Sequence, residues 1–234
     1  MKRIVALTVA MLLGTAAFAV PDCVDTTWKA SWITKEYQSG LPNTWMGFRK
    51  SVNIASVPSS VTARISADTR YWLWINGELV IREGGLKRGP APGDSYYDKV
   101  EIAPYLRRGE NLIAVMVWYM GKTGFSHLSS GIPALLFDAQ GPGVEILSDE
   151  TWQCDVFRDF SEAGTARPNY RLPESSVRFD ARKYRSRWNT DASGNIGKVL
   201  KLGFAPGQAP FGRLVERPIP QWKDYGLNDY LETR

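Results

Sequence analysis

The stretch Ala67-Asp68-Thr69-Arg70-Tyr71-Trp72-Leu73-Trp74-Ile75-Asn76-Gly77-Glu78-Leu79-Val80-Ile81 constrains the fold more than any other. An apolar strand runs into Asn76-Gly77, and a second strand begins at once. Asn and Gly tolerate the positive φ angles of a type I′ turn, so the pair predicts a two-residue hairpin. Side chains alternate along a strand, which puts Trp72 and Trp74 on one face and Tyr71, Leu73 and Ile75 on the other. A strand apolar on both faces is either buried on both or carries a functional aromatic surface. The hairpin by itself leaves both open.

The surrounding pattern repeats the strand signal. From residue 45 to about 147, short alternating segments are separated by turn chemistry. Phe48, Val52 and Ile54 alternate with Arg49, Ser51 and Asn53, and Val61, Ala63, Ile65 and Ala67 alternate with Thr62, Arg64 and Ser66. Residues 84–93 form a long loop with Pro90 and Pro92, and Tyr96-Tyr97-Asp98-Lys99-Val100-Glu101-Ile102 resumes as a strand. Residues 112–119 are apolar throughout, as in a central strand covered on both sides. Residues 132–137 and 144–147 close the pattern across Gly141-Pro142-Gly143. No segment has a helical period. The expected fold is therefore all-β, an antiparallel β-sandwich of jelly-roll type. After Trp152 the composition turns polar, with six arginines from Arg167 to Arg187. An irregular segment over 155–198 is expected to lie across the sandwich. From residue 206 the chain is Pro/Gly-rich, with the composition of a linker to a further domain. The expected organisation is thus a leader (1–19), a sandwich domain (20–205) and a linker (206–234).

The N-terminus has the form of a secretory signal peptide. Lys2-Arg3 precede the apolar residues 4–13, and Ala17-Phe18-Ala19 supplies a small-x-small cleavage site. The apolar run is too short to span a bilayer, so no membrane anchor is expected. Cys23 suggests an acylated cysteine, but Val20-Pro21-Asp22 lacks the small apolar residues before it, so cleavage near Ala19 and a secreted or periplasmic location are expected. Loss of Lys2 and Arg3 lowers the net charge of +5 by two, and no basic run tracks a helix face, so nucleic acid is an unsuitable partner. In an oxidising compartment Cys23 and Cys154 are able to pair, with a chain-entropy gain of roughly 4–5 kcal/mol. The alternative is two separate thiols.

Catalytic chemistry finds little support. Glycoside hydrolysis needs two carboxyl groups about 5–10 Å apart across one bond. Asp149 and Glu150 are adjacent and would face opposite ways on a strand, while Asp68 and Glu78 flank the hairpin in turn settings. His127 is the lone histidine, and the serines near it lack a G-x-S-x-G elbow. One histidine and two distant cysteines do not make a zinc site. No cofactor is indicated: no spacing demands calcium and no phosphate-binding glycine loop is present. Binding is better served, by nine tryptophans, ten tyrosines and nine phenylalanines. Sugar C–H faces stack on such rings while Asp, Asn and Arg take the hydroxyls. Trp72, Trp74, Tyr96, Tyr97 and His127 are the carbohydrate-binding candidates, with the first two as readily explained by burial.

Together these segments resemble the N-terminal β-sandwich region of secreted bacterial α-L-rhamnosidases. More distantly they resemble the galactose-binding-like jelly roll of β-galactosidase-type enzymes. The matching pieces are Trp28-Lys29-Ala30-Ser31-Trp32-Ile33, Phe48-Arg49-Lys50, the 67–78 hairpin and Tyr96-Tyr97-Asp98. Further pieces are Arg108-Gly109-Glu110-Asn111-Leu112-Ile113-Ala114-Val115, Ser126-His127-Leu128-Ser129-Ser130-Gly131 and Gly212-Arg213-Leu214-Val215-Glu216-Arg217-Pro218-Ile219-Pro220. The resemblance implies that the catalytic carboxylates belong to a downstream α/α barrel that these residues do not include. The expected role is then a non-catalytic accessory module that binds rhamnose-containing carbohydrate, supports a catalytic domain, or both. A purely structural docking module is the alternative, and an independent hydrolase is the least supported.

Overall fold

The computed structural model describes residues 26–36, 41–124, 126–163, 177–193, 196–223 and 225–226. The leader and Cys23 lie outside the described residues. In chain order the strands are β1 (Ile33–Lys35), β2 (Thr44–Ile54), β3 (Thr62–Asp68), β4 (Arg70–Ile75), β5 (Glu78–Ile81), β6 (Ser95–Glu101) and β7 (Gly109–Tyr119). They continue as β8 (Ala134–Gly141), β9 (Val144–Leu147), β10 (Gln153–Val156), β11 (Phe160–Glu162), β12 (Val177–Phe179), β13 (Val199–Lys201) and β14 (Leu214–Glu216). No helix among the described residues is long and apolar enough to cross a membrane.

One sheet runs β13-β1-β8-β3-β6-β14 with β9 added to β8, and the other runs β10-β2-β7-β4-β5. β11 and β12 form a separate ribbon. The chain changes sheet at β1 to β2, β2 to β3, β3 to β4, β5 to β6, β6 to β7, β7 to β8 and β9 to β10, which makes a β-sandwich of largely antiparallel strands. The one parallel pairing brings β14 onto β6, with Val215 opposite Tyr96.

The predicted hairpin is present: Ile75 pairs with Glu78 across Asn76-Gly77, whose φ angles are 54° and 85°. Asn76 is further tied to the preceding turn of β7. Its Nδ2 donates to Asn111 Oδ1 and to the Tyr105 carbonyl, both at 2.9 Å, and its Oδ1 accepts from Leu112 N at 3.1 Å.

Strand alternation explains the core. Tyr71, Leu73 and Ile75 of β4 meet Val115 and Val117 of β7, and Ile65 and Phe137 of the opposite sheet. Each outer sheet face carries its own apolar cover. Trp28, Trp32, Phe211 and Leu214 pack over Ala134 and Leu136 on the first sheet. Trp45, Trp118, Phe157 and Trp188 pack over Ala114 on the second. The stretch with linker composition thus returns to the sandwich as far as β14, with Phe211 stacked on Trp32 at 3.9 Å between centroids.

Candidate functional site

β5 ends at Ile81, and the chain then has to turn back beneath Tyr71. Glu83 takes a φ of 54°, and Gly84 presses so close to the Tyr71 ring that a Cβ there would lie 2.2 Å from it. Only glycine fits this approach. Gly84 N donates to the Tyr71 carbonyl at 2.7 Å, and Gly85 N to Asp98 Oδ2 at 2.8 Å. Farther along, Lys87 is buried. Its backbone bonds Thr69 and Leu128, and its Nζ donates to the Asp94 carbonyl at 3.1 Å. Burial lowers the Lys87 pKa, against the charges of Asp68 and Asp94. The predicted long loop is therefore anchored on a buried lysine.

From the other side comes the tail after β14. Arg217 N donates to the Tyr97 carbonyl at 2.9 Å, and its Nε donates to Asp98 Oδ1. Asp98, only 2% exposed, also accepts from Tyr71 Oη at 2.5 Å. Three donors thus converge on one buried carboxylate, and the Arg217 side chain is itself 8% exposed. Its Nη2 is buried with no acceptor among the described residues.

Between loop and tail lies a cleft of about 520 Å³, within the usual range of a small-molecule site. Tyr96, Leu86, Ile219 and Trp222 give it apolar walls, and Arg70, Arg88 and Arg217 bring guanidinium groups to it. Trp222 is 71% exposed and also borders a neighbouring hollow of about 260 Å³ lined by Arg82, Glu83 and Lys223.

The five residues proposed from sequence are dispersed. Tyr96 lines the cleft. Tyr97, the next residue on β6, faces elsewhere and meets Trp28 edge-on at 5.1 Å. Trp72 and Trp74 are half-buried and belong to the outer cover of the second sheet. Trp72 stacks on Trp45 at 5.4 Å, and Trp74 meets Trp188 edge-on at 5.5 Å. Trp188, from the segment after Trp152, thus covers part of Trp74, while Trp72 rests on Trp45 of β2. His127 is 4% exposed, with Nε2 at 2.7 Å from the Lys122 carbonyl. Its loop is held by Asp68, whose Oδ2 accepts from Ser130 N at 2.6 Å, Ser130 Oγ at 2.7 Å and Ser129 Oγ at 3.2 Å. Asp68 is thus committed to that loop, while Glu78 lies exposed on β5. Cys154 is a buried thiol, not bonded to another described residue; its expected partner, Cys23, falls outside the described residues. No group of three or more His, Cys, Asp or Glu able to hold a metal occurs among the described residues.

Trp222, Arg88 and Arg217 were not among the sequence candidates. Trp222 and Arg217 sit in the Pro-rich tail, and only the parallel pairing of β14 with β6 reveals that they return to Tyr96.

Comparison with solved structures settles what kind of sandwich this is. The GH78 family rhamnosidase of Bacillus sp. GL1 matches 83% of the chain at 29% identity and a TM-score of 0.72. The chain resembles part of an α-L-rhamnosidase. That match covers 20% of the Bacillus enzyme. The α-L-rhamnosidase of Dictyoglumus thermophilum matches 84% of the chain and 23% of its own length, with 20% identity and a TM-score of 0.60. That of Aspergillus terreus matches 79% and 22%, with 19% identity and a TM-score of 0.57. The two weaker matches support the rhamnosidase-like fold alone. The chain spans about a fifth of the length of these enzymes. No protein-family model and no curated protein sequence matches it.

Proposed function

We propose that the chain is a non-catalytic accessory module of an α-L-rhamnosidase-like glycoside hydrolase, and that it binds carbohydrate in the cleft between the 83–90 loop and the 217–222 tail. The cleft carries this reading. Tyr96 and the exposed Trp222 offer aromatic faces to sugar C–H groups, and arginines beside them offer donors to hydroxyls. Rhamnose-containing glycans are the expected ligands because the similar enzymes are rhamnosidases. Secretion or periplasmic export, with residues 1–19 as leader, completes the proposal.

Titration with L-rhamnose and rhamnose-containing oligosaccharides tests it. Saturable binding that Trp222→Ala abolishes is expected, and no binding at millimolar concentrations overturns it. Release of rhamnose from an aryl rhamnoside by the purified chain would overturn the non-catalytic assignment.

The alternative is a structural module whose tail docks on a catalytic domain. Ile219, Trp222 and Tyr225 favour it, since all three are strongly exposed apolar side chains on one short stretch. Under this alternative, Trp222→Ala weakens association with a separately expressed catalytic domain and no sugar binds.

A further inference from the structure

The two walls of the cleft are held very differently. On the loop side, Gly84, Gly85 and Lys87 donate backbone hydrogen bonds to Tyr71, Asp98 and Thr69. The carbonyls of Lys87 and Arg88 accept from Leu128 and Tyr96, and Glu83 pairs with Arg70. On the tail side, Arg217 is firmly fixed, by its backbone to Tyr97 and by its guanidinium to Asp98. From residue 218 to residue 223, no hydrogen bond, ion pair or ring contact occurs among the described residues. Gly226, beyond them, is engaged again. Pro218, Ile219 and Trp222 of this unbonded stretch nevertheless line the cleft.

Such a stretch opens at low cost, because few contacts have to be broken. Its seated position also carries an unfavourable group. Gln221 Oε1 is buried with no donor, and lifting the stretch returns that oxygen to water. Ile219 and Trp222 stay strongly exposed while the cleft is empty, so burial of their apolar surface adds little to hold them down.

The sequence fits a hinged motion. Pro218 and Pro220 fix their own φ angles and keep Arg217 and Ile219 extended. The Pro-Ile-Pro run is therefore a short stiff arm that moves as one piece. Its pivot is set by the buried Arg217–Asp98 pair, which holds the chain up to residue 217.

Resting on the carbohydrate-binding reading above, we infer that residues 218–223 are a strap that gates the cleft. It swings outward after Arg217 to admit a ligand and closes on it through Ile219 and Trp222, against a loop wall that stays still. A bound sugar gives those two side chains a surface to cover, and that difference between open and closed states is what draws the strap shut.

The test is NMR relaxation dispersion on the full chain, free and saturated with a rhamnose-containing oligosaccharide. Lids of this kind move in microseconds to milliseconds. Dispersion is expected at the Trp222 indole and the 221–223 amides of the free chain, absent from residues 84–89, and suppressed by the oligosaccharide. Pro220→Gly, at a position that does not line the cleft, should weaken binding roughly two- to fivefold by freeing the open arm. A strap as rigid as the loop wall in the free chain would overturn the inference. So would uniformly low order parameters that a bound oligosaccharide leaves unchanged, which mark a frayed segment, or parent-like affinity in Pro220→Gly. Dispersion in the free chain with no oligosaccharide binding would overturn the carbohydrate reading and leave the gating motion standing.

Discussion

Tyr71 Oη donates to Asp98 Oδ2 at 2.5 Å, and this bond joins the two sheets of the sandwich. Tyr71 stands on β4 of one sheet and Asp98 on β6 of the other. The same carboxylate fixes Gly85 in the loop and Arg217 in the tail. Gly85 and Arg217 both line the cleft, so the shape of its walls depends on a carboxylate held deep in the fold.

Removing the centre of that junction should cost far more than removing one arm. Asp98→Asn leaves the Arg217 charge buried without its counter-ion, and breaking a buried pair from one side costs roughly 3–5 kcal/mol. Tyr71→Phe deletes one hydrogen bond to a charged acceptor, about 1.5–3 kcal/mol. Urea unfolding of the two variants should rank them in that order. A smaller loss for Asp98→Asn than for Tyr71→Phe would show that Asp98 does not organise the cleft.

Buried acidic side chains set the alkaline limit of the fold. Burial, followed by the charge of Asp98 and the bond to it, raises the Tyr71 phenol well above its ordinary value of 10.0. Burial likewise raises the Cys154 thiol well above 9.0 and, more modestly, the Tyr119 phenol. Each pKa is raised in the folded state, so each group's contribution is complete below its unfolded value and declines as pH rises beyond it. Stability should therefore hold to about pH 9 and fall steadily above it, Cys154 acting first. A Tyr71→Phe and Cys154→Ala double variant should show a smaller drop in urea midpoint between pH 7 and pH 10.5 than the parent. Parallel curves would contradict this.

The sandwich was readable because its signals are local. Asn76-Gly77 dictates a hairpin on its own, and alternation in Tyr71, Leu73 and Ile75 identifies the core face wherever the partner strand lies. The jelly-roll likeness followed from spacing of the same kind. The cleft was harder to read because its walls are far apart in the chain. Tyr96 was a candidate as a loop-side aromatic, but Trp222 looked like part of a linker, and nothing local reports that β14 folds back beside β6. His127 and Tyr97 looked accessible for a similar reason. The groups against them, Lys122 with its loop for the buried His127 and Trp28 for the half-buried Tyr97, are invisible to a pattern search along the local sequence.

Two tryptophans separate packing from binding. Trp74 is half-buried against Trp188, and truncating a large core-lining aromatic costs about 2 kcal/mol or more even when part of it is exposed. Trp222 stands in solvent, where substitutions usually change stability by no more than about 0.5 kcal/mol. Trp74→Ala should therefore lower the unfolding midpoint and leave carbohydrate affinity in place at a temperature where it remains folded. Trp222→Ala should do the reverse. Loss of binding in Trp74→Ala with an intact fold would move the site to the outer face of the second sheet.

The lone histidine offers a direct probe of the loop that Asp68 holds. Asp68 is fully buried, and three donors from Ser129 and Ser130 converge on its Oδ2. Asparagine at this position has one accepting oxygen in place of two, so with Thr69 Oγ1 also bound to Oδ1 the set of four donors cannot all be satisfied. The loss falls on the 126–131 loop, which shields His127. In tag-free protein, acylation of His127 by diethylpyrocarbonate should be slow in the parent and markedly faster in Asp68→Asn. Stability should fall by roughly 1–3 kcal/mol for the buried donors left unpaired. Equal acylation rates in the two proteins would mean that the Lys122 carbonyl and the Gly124 backbone, which lie against the imidazole, hold it without Asp68.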